Sequence, residues 1–150
     1  MLGRLARWLR FLGFDTLYYP DIQDSRLIKI ALEEDRCVLT RDTRLVQVRA
    51  LKDYLLLHAN STFQQLGEVN DALHLDQVHL PGRCVACNGF LAVVTDKNQV
   101  RNFVPEYVFL SFDVFSKCVD CGRVYWEGSH SRQFREMLGK IKHLKDNHLT

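Results

Sequence analysis

The sequence has few residues that interrupt a packed core, and it has no long hydrophobic run. Only 3 of its 150 residues are proline and 8 are glycine, whereas 47% are hydrophobic. This composition is typical of a packed globular protein with one domain or two small ones. Because no apolar stretch approaches the length of a transmembrane helix, we expect no membrane partner.

The chain also has little net charge. Its 20 Lys and Arg residues nearly balance its 18 Asp and Glu residues, which leaves a formal charge of +2. Such mild basicity does not by itself indicate a nucleic-acid partner. Any affinity for a polyanion must therefore depend on where the arginines lie.

Four of the five cysteines form two Cys-x-x-Cys pairs. Cys84 and Cys87 are followed by Asn-Gly, and Cys118 and Cys121 are followed by Gly. Each short turn directs two sulfur atoms to one point, and Asn or Gly tolerates the positive φ that follows the second cysteine. The spacing predicts a zinc ribbon in which four thiolates bind one Zn²⁺ ion. With all four ligands supplied by protein, the ion would stabilise folding and take no part in catalysis.

Other uses of the cysteines agree less well with the sequence. Two disulfides would require an oxidising compartment, but residues 2–11 contain four Arg or Trp residues and no continuous apolar core of a signal peptide. A redox pair would account for one Cys-x-x-Cys and leave the other unused. The fifth cysteine, Cys37, lies in an apolar run and is predicted to be a buried strand residue. We expect a reducing intracellular location, either cytoplasmic or nuclear.

Helical and β-prone segments alternate through the first 80 residues. Apolar residues recur at helical spacing in residues 2–12, with Gly13 as the predicted C-cap, and Ser61 with Gln64 forms a capping box for a later helix. Two further helices are predicted to begin at Asp24 or Ser25 and at residue 43, and the predicted strands are residues 14–19, 37–40 and 54–58. This alternation predicts an α/β fold with parallel strands.

A break at Pro81-Gly82 separates this region from the cysteine pairs. We therefore predict an α/β domain at residues 1–80, a zinc ribbon at 81–130, and a C-terminal helix with a polar tail at 131–150. Within the ribbon, the predicted strands are residues 90–95 and 107–112. Tyr125 and Trp126 follow the second cysteine pair and are expected to pack over the metal site, with base stacking as the alternative.

Two aspartates are the candidates for catalysis. In an open parallel sheet, sites gather beyond the carboxyl ends of the strands. Asp42 follows the strand at 37–40 and Asp24 begins the helix before it, so both are expected at one edge of the sheet. Converging carboxylates bind Mg²⁺ or Mn²⁺, which can bridge phosphate and orient water. The alternative is that each aspartate only caps a helix.

Basic residues lie beside these aspartates and along the first predicted helix. Arg41 precedes Asp42, and Arg4, Arg7 and Arg10 recur at every third position. This spacing places the three arginines along one flank of the helix, where they would contact phosphates. The alternative is a solvated helix face with no ligand.

Four strings in the chain, taken in order, resemble the Mut7-C RNase domain family. They are residues 1–16 beginning Met1-Leu2-Gly3-Arg4, the string Leu39-Thr40-Arg41-Asp42, residues 83–89 around the first cysteine pair, and residues 118–130 from the second pair onward. The resemblance implies a PIN-type nuclease fold joined to a C-terminal zinc ribbon. It also implies RNA as the partner and metal-dependent RNA cleavage by an acidic cluster, with Asp24 and Asp42 as catalytic residues.

The same resemblance implies the RNA contacts. Arg41 belongs to the Thr-Arg-Asp string, and Arg4, Arg7 and Arg10 belong to the basic first helix of the family. Members normally begin with a β-strand that ends in an aspartate, upstream of the Met-Leu-Gly string. Because this sequence begins at Met1, the resemblance implies a PIN-like sheet whose first strand is missing. Two alternatives stay open: a non-catalytic RNA-binding module and a zinc-stabilised protein-interaction domain.

Overall fold

The computed structural model describes residues 2–75 and 82–148, and its internal contacts group the chain into two compact units. The first unit comprises Met1–Leu5 and Leu17–Gln77, and the second comprises Ala6–Thr16 and Val78–Thr150. Residues 6–16 therefore group with the cysteine-containing region, although the sequence prediction assigned residues 1–80 to one domain. Of the predicted boundary at Pro81-Gly82, Pro81 lies outside the described ranges and Gly82 lies within them.

The first helix, α1, spans Gly3–Phe11 and contributes residues to both units. Leu5, Leu9 and Leu12 are buried at the four-residue and three-residue spacing of one helix face. Gly13 follows with a φ of 96°, which confirms its predicted role in ending the helix. Residues 14–19 are not a strand, contrary to the prediction, because their backbone pairs with no neighbouring strand.

The first unit contains a small parallel sheet with helices. Its elements are α2 (Asp24–Glu33), β1 (Val38–Thr40), one turn of 3-10 helix (Leu45–Gln47), β2 (Tyr54–Leu56) and α3 (Thr62–Leu73). Strands β1 and β2 pair in parallel, with Val38 opposite Tyr54 and Thr40 opposite Leu56. This arrangement confirms the prediction of a mixed α/β fold with parallel strands.

One apolar cluster of the first unit includes residues of α2 and β1. Ala31, Val38, Leu45 and Leu51 are buried together, and Leu27 and Ile28 of α2 pack against them. The Ser61 hydroxyl accepts a hydrogen bond of 3.2 Å from the backbone N–H of Gln64 and so caps α3, as predicted.

The second unit contains a three-stranded antiparallel sheet. Its strands are β3 (Leu91–Val93), β4 (Phe115–Cys118) and β5 (Val124–Trp126), with β4 in the centre. A turn of 3-10 helix (Lys97–Val100) and helix α4 (Glu106–Ser111) lie between β3 and β4, and α5 (Ser129–His148) follows β5. No helix among the described residues is long and apolar enough to cross a membrane.

The prediction of a strand at residues 107–112 is wrong, because this segment forms α4. Pro105 has a φ of −59°, and its carbonyl accepts hydrogen bonds from the N–H groups of Val108 and Phe109, which starts the helix. Val104, Val108 and Phe112 recur at four-residue spacing. Val108 is buried with Val100 and Phe115, and Val104 and Phe112 pack against this cluster. The β-prone composition of the segment is overridden by this packing.

Candidate metal centre and surrounding surfaces

The four paired cysteines converge in the second unit. The sulfur atoms of Cys84, Cys87, Cys118 and Cys121 all lie within 4.8 Å of one another. The Cys84 and Cys121 sulfurs are 3.6 Å apart, and those of Cys87 and Cys118 are 3.4 Å apart. A tetrahedral site with Zn–S bonds of about 2.3 Å places its sulfurs about 3.8 Å apart, whereas a disulfide places them about 2 Å apart. The sulfurs therefore fit a Zn²⁺ ion, and all four cysteines are free.

The backbone forms the same turn at both cysteine pairs. After the first pair, the N–H of Asn88 donates to the Cys84 carbonyl at 2.8 Å, and after the second pair the N–H of Gly122 donates to the Cys118 carbonyl at 3.1 Å. Asn88 and Gly122 have positive φ angles of 69° and 76°, as predicted from their positions after the second cysteine of each pair. Each turn therefore presents its two sulfurs on one side.

Backbone N–H groups also point at the sulfurs. Gly89 donates to Cys87 Sγ at 3.4 Å, and Cys121 donates to Cys118 Sγ at 3.5 Å. Such contacts stabilise a thiolate, because the charged form of sulfur is the better acceptor. A Cβ atom at Gly89 would lie 2.8 Å from Cys118 Sγ and 2.5 Å from an Asp120 carboxylate oxygen. The two turns can therefore approach this closely only with glycine at position 89.

The buried sulfur of Cys84 receives additional support from Tyr125. The Tyr125 hydroxyl lies 3.0 Å from Cys84 Sγ. Burial raises the pKa of Cys84, but the Tyr125 hydroxyl and the backbone N–H groups of Cys87 and Ala86 outweigh it and lower the pKa to about 7. Burial and the bond to Cys84 raise the pKa of Tyr125, which keeps the phenol protonated as a donor. Tyr125 thus packs against the metal site, as expected.

The exposed thiol of Cys87 differs from that of Cys84. The N–H of Gly89 lowers the pKa of Cys87, but burial and the neighbouring sulfurs of Cys118 and Cys84 raise it to about 12. Four thiolates this close repel one another unless a positive ion lies among them. The geometry of the cluster therefore matches a site in which metal binding and thiol deprotonation occur together.

The predicted arginine stripe is divided between exposed and buried positions. Arg4 and Arg7 are exposed. Arg10 is only 8% exposed, and its guanidinium donates to the carbonyls of Thr16 at 2.8 Å, Val85 at 3.0 Å and Ala86 at 3.3 Å. Because residues six apart differ by about 120° around an α-helix, Arg10 turns away from the flank that carries Arg4. The predicted exposed stripe is therefore wrong for Arg10.

The two candidate aspartates are both exposed and lie in the first unit. Asp24 is the first residue of α2, and the N-cap position belongs to Gln23, so Asp24 is not the cap. Asp42 follows β1, where its N–H donates to Thr40 Oγ1 at 3.0 Å and its Oδ1 accepts from the N–H of Arg44 at 2.7 Å. This turn contact agrees with the local structural role that we gave as the alternative for Asp42.

Among the described residues, no other group of three or more Cys, His, Asp or Glu side chains lies at metal-binding distance. A divalent ion at Asp24 and Asp42 therefore stays a prediction.

Loops beyond β1 and β2 are joined by hydrogen bonds that the sequence did not predict. The Arg41 side chain donates to Asn60 Oδ1 at 2.6 Å, and Leu57 N–H donates to the Thr40 backbone carbonyl at 2.7 Å. The Glu68 carboxylate of α3 accepts from the N–H groups of His58 at 3.0 Å and Ala59 at 3.2 Å. Glu68 lies ten residues from His58 in the chain, and no sequence spacing signals such a contact.

The second unit also exposes aromatic rings beside cations, which the sequence analysis did not predict. Phe103 is 64% exposed with Lys117 Nζ 5.1 Å from its ring centre, and Tyr107 is 70% exposed. The Arg101 guanidinium lies 5.3 Å from the ring centre of Phe109. These distances are in the range of cation–π contacts. We call Arg101, Phe103, Phe109 and Lys117, together with the exposed Tyr107 of α4 from the same stretch of chain, the aromatic–basic surface.

Comparison with known proteins identifies a family. The family described as Mut7-C RNAse domain matches residues 1–138 of the chain. No curated protein and no solved structure matches the chain.

Zinc content tests the metal centre. Protein purified without chelator should contain one zinc ion per chain, and Cys118→Ser should lose it, because a serine hydroxyl replaces a buried thiolate ligand. Cys37→Ser is the matched control, since Cys37 lies outside the cluster, and it should keep its zinc. Metal analysis by mass spectrometry checks both. Zinc-free wild-type protein, or full zinc content in Cys118→Ser, would contradict the assignment.

Proposed function

The chain belongs to the Mut7-C RNase domain family, and from this membership we propose that it is a metal-dependent ribonuclease of PIN type. The family match over residues 1–138 is the observation that carries the proposal, because it spans Asp24 and Asp42 of the first unit and the cysteine centre of the second. In this proposal the first unit cleaves RNA, and the second unit helps to bind it.

The proposed catalytic site is the carboxyl edge of the parallel sheet. Asp42 follows β1, and the loop that contains Asn60 follows β2, so the parallel pairing of the strands supports one shared edge. The hydrogen bond between Arg41 and Asn60 joins the two loops. Asp24 lies at the start of α2, the helix that leads into β1. This arrangement supports a PIN-like site.

Each residue then has a distinct part in the proposed reaction. The Asp24 and Asp42 carboxylates would hold Mg²⁺ or Mn²⁺, which prefer oxygen ligands. A divalent ion bound there would supply charge neutralisation at the phosphodiester and a more acidic water. Arg41 would orient the phosphate by hydrogen bonding, because the planar guanidinium group suits phosphate geometry.

The second unit supplies features suited to single-stranded RNA. Exposed rings accept stacked bases of any sequence, and adjacent cations pair with the phosphates between them. The aromatic–basic surface has both, with Phe103 and Tyr107 exposed and Arg101 and Lys117 close to rings. Arg4 and Arg7 of α1 are exposed cations and are the proposed further phosphate contacts.

A non-catalytic RNA-binding module is the second candidate. One observation favours it: within residues 2–75 and 82–148, acidic side chains do not gather in a group of three at metal-binding distance. An ion held by only two carboxylates would depend on water and substrate phosphate for its other ligands, as Mg²⁺ sites commonly do. Cleavage assays therefore separate the two candidates.

Substituting Asp42→Asn tests catalysis. Asparagine keeps a carbonyl oxygen for the hydrogen bond from Arg44, so the turn is preserved while the negative charge is lost. We expect cleavage of a fluorescent single-stranded RNA in Mg²⁺ or Mn²⁺ to fall about 100-fold or more, which is about 3 kcal/mol of transition-state stabilisation. RNA affinity should stay within about twofold of wild type.

Asp71→Asn is the control for this test, because Asp71 is an exposed aspartate on α3 of the same unit. It should cleave like the wild type. Undiminished cleavage by Asp42→Asn would refute the catalytic assignment. RNA binding with no metal-dependent cleavage by the wild type would support the non-catalytic module.

Two further variants separate stacking from charge in RNA binding. Phe103→Ala should weaken binding of an RNA oligonucleotide by about 1–3 kcal/mol with an unchanged salt dependence, because stacking releases no counterions. Arg4→Ala with Arg7→Ala should lower the slope of log affinity against log salt by about 1.4, since each phosphate contact on a single strand contributes about 0.7. Fluorescence anisotropy at several salt concentrations measures both quantities.

The matched control for Phe103→Ala is Tyr19→Ala, an exposed aromatic of the first unit with 47% of its surface accessible. Its RNA affinity should equal that of the wild type. Equal affinity of Phe103→Ala and the wild type would remove the aromatic–basic surface from the proposal. If neither the wild type nor any variant binds RNA at low salt, the result would favour a protein-interaction domain.

A further inference from the structure

The end of helix α1 is joined to the first cysteine turn, residues 84–89, which we call the first knuckle. The Arg10 guanidinium donates to the carbonyls of Val85 and Ala86 at 3.0 and 3.3 Å, between the two cysteines. In return, the Arg10 carbonyl accepts a 2.7 Å hydrogen bond from the N–H of Arg83, the residue before Cys84. Arg10 thus contacts the knuckle through both its side chain and its backbone.

Asn88 forms a second connection between the same two segments. Its side-chain nitrogen donates to Asp15 Oδ1 at 2.6 Å, and its side-chain oxygen accepts from the N–H of Thr16 at 3.0 Å. Asn88 is buried and has the positive φ that the knuckle requires. One residue therefore shapes the cysteine turn and also binds the chain that follows α1.

The backbone of α1 also lies close to the backbone that precedes the first knuckle. A Cβ atom at Gly82 would lie 2.0 Å from the carbonyl oxygen of Phe11, so the backbones touch there. On the same helix, the rings of Trp8 and Phe11 lie 3.8 and 4.2 Å from the ring of Phe134 on α5. Residues 6–16 are therefore part of the folded second unit, in agreement with the contact grouping.

The buried charge of Arg10 needs a partner. A buried cation is stable only when an opposite charge compensates for its lost hydration. In the described part of the chain, Arg10 forms no salt bridge with a carboxylate. Four thiolates around Zn²⁺ have a net charge of −2, and Arg10 contacts the backbone between two of those ligands. Burial lowers the pKa of Arg10, and Cys84 and Cys87 oppose this shift more strongly than the Asp15 carboxylate does, so the cysteine centre is the main opposite charge of Arg10.

We propose that Arg10 is the counter-ion of the zinc–thiolate centre, so that zinc binding and docking of residues 6–16 onto the first knuckle are one coupled event. Arg10 is a positioning residue in this scheme, since it reaches the metal only through the knuckle backbone. Groups that orient and polarise metal ligands in this way typically change metal affinity 10–100-fold when removed. The proposal does not depend on ribonuclease activity.

Zinc affinity measured by competition with a chromophoric chelator tests the counter-ion role. Arg10→Met should lower the affinity about 10–100-fold, and Arg10→Lys should recover part of the loss because it restores the positive charge. Arg26→Met is the control, since Arg26 is an exposed arginine of α2 in the other unit, and this variant should bind zinc like the wild type. Wild-type affinity in Arg10→Met, or equal losses in the Met and Lys variants, would overturn the counter-ion role.

Hydrogen exchange on the wild-type protein tests the coupling without any mutation. Removing zinc with a chelator should abolish amide protection in residues 6–16 together with residues 84–89, because the two segments share hydrogen bonds. Residues 24–33 of α2 belong to the other unit and are the internal reference for protection that does not depend on zinc. Retained protection of residues 6–16 after zinc loss would overturn the proposal.

Discussion

Four thiols held within 4.8 Å of one another become four thiolates only around a cation, and the second unit is organised by this constraint. Its strands have three or four residues each, and one of its apolar clusters is formed by Val100, Val108 and Phe115 with six partly buried neighbours. Metal binding adds free energy of folding directly, because the site does not exist in the unfolded chain.

The same constraint explains why residues 6–16 group with the second unit. The last turn of α1 places the side chain of Arg10 against the first knuckle and its backbone carbonyl against the N–H of Arg83. The exposed arginines of α1, Arg4 and Arg7, lie on the preceding turns. A helix with a buried positive charge at one end needs compensation that its own residues do not supply. The zinc–thiolate centre provides it, and the proposed RNA contacts on the helix then depend on a metal that takes no part in catalysis.

Local features were predictable from the sequence, and contacts between distant segments were not. The cysteine turns, the positive φ at Asn88 and Gly122, the Ser61 cap and the parallel strands β1 and β2 follow from spacing within a few residues. Helix α4 was mistaken for a strand because Val, Tyr and Phe favour strands, although the spacing of Val104, Val108 and Phe112 is helical. The burial of Arg10 depends on partners at positions 85 and 86, which no local pattern indicates.

X-ray absorption at the zinc edge, on protein purified without chelator, tests the central claim most directly. The four-thiolate centre predicts four sulfur neighbours at about 2.3 Å and no nitrogen or oxygen in the first coordination shell. A shell that contains nitrogen or oxygen, or fewer than four sulfurs, would contradict the claim.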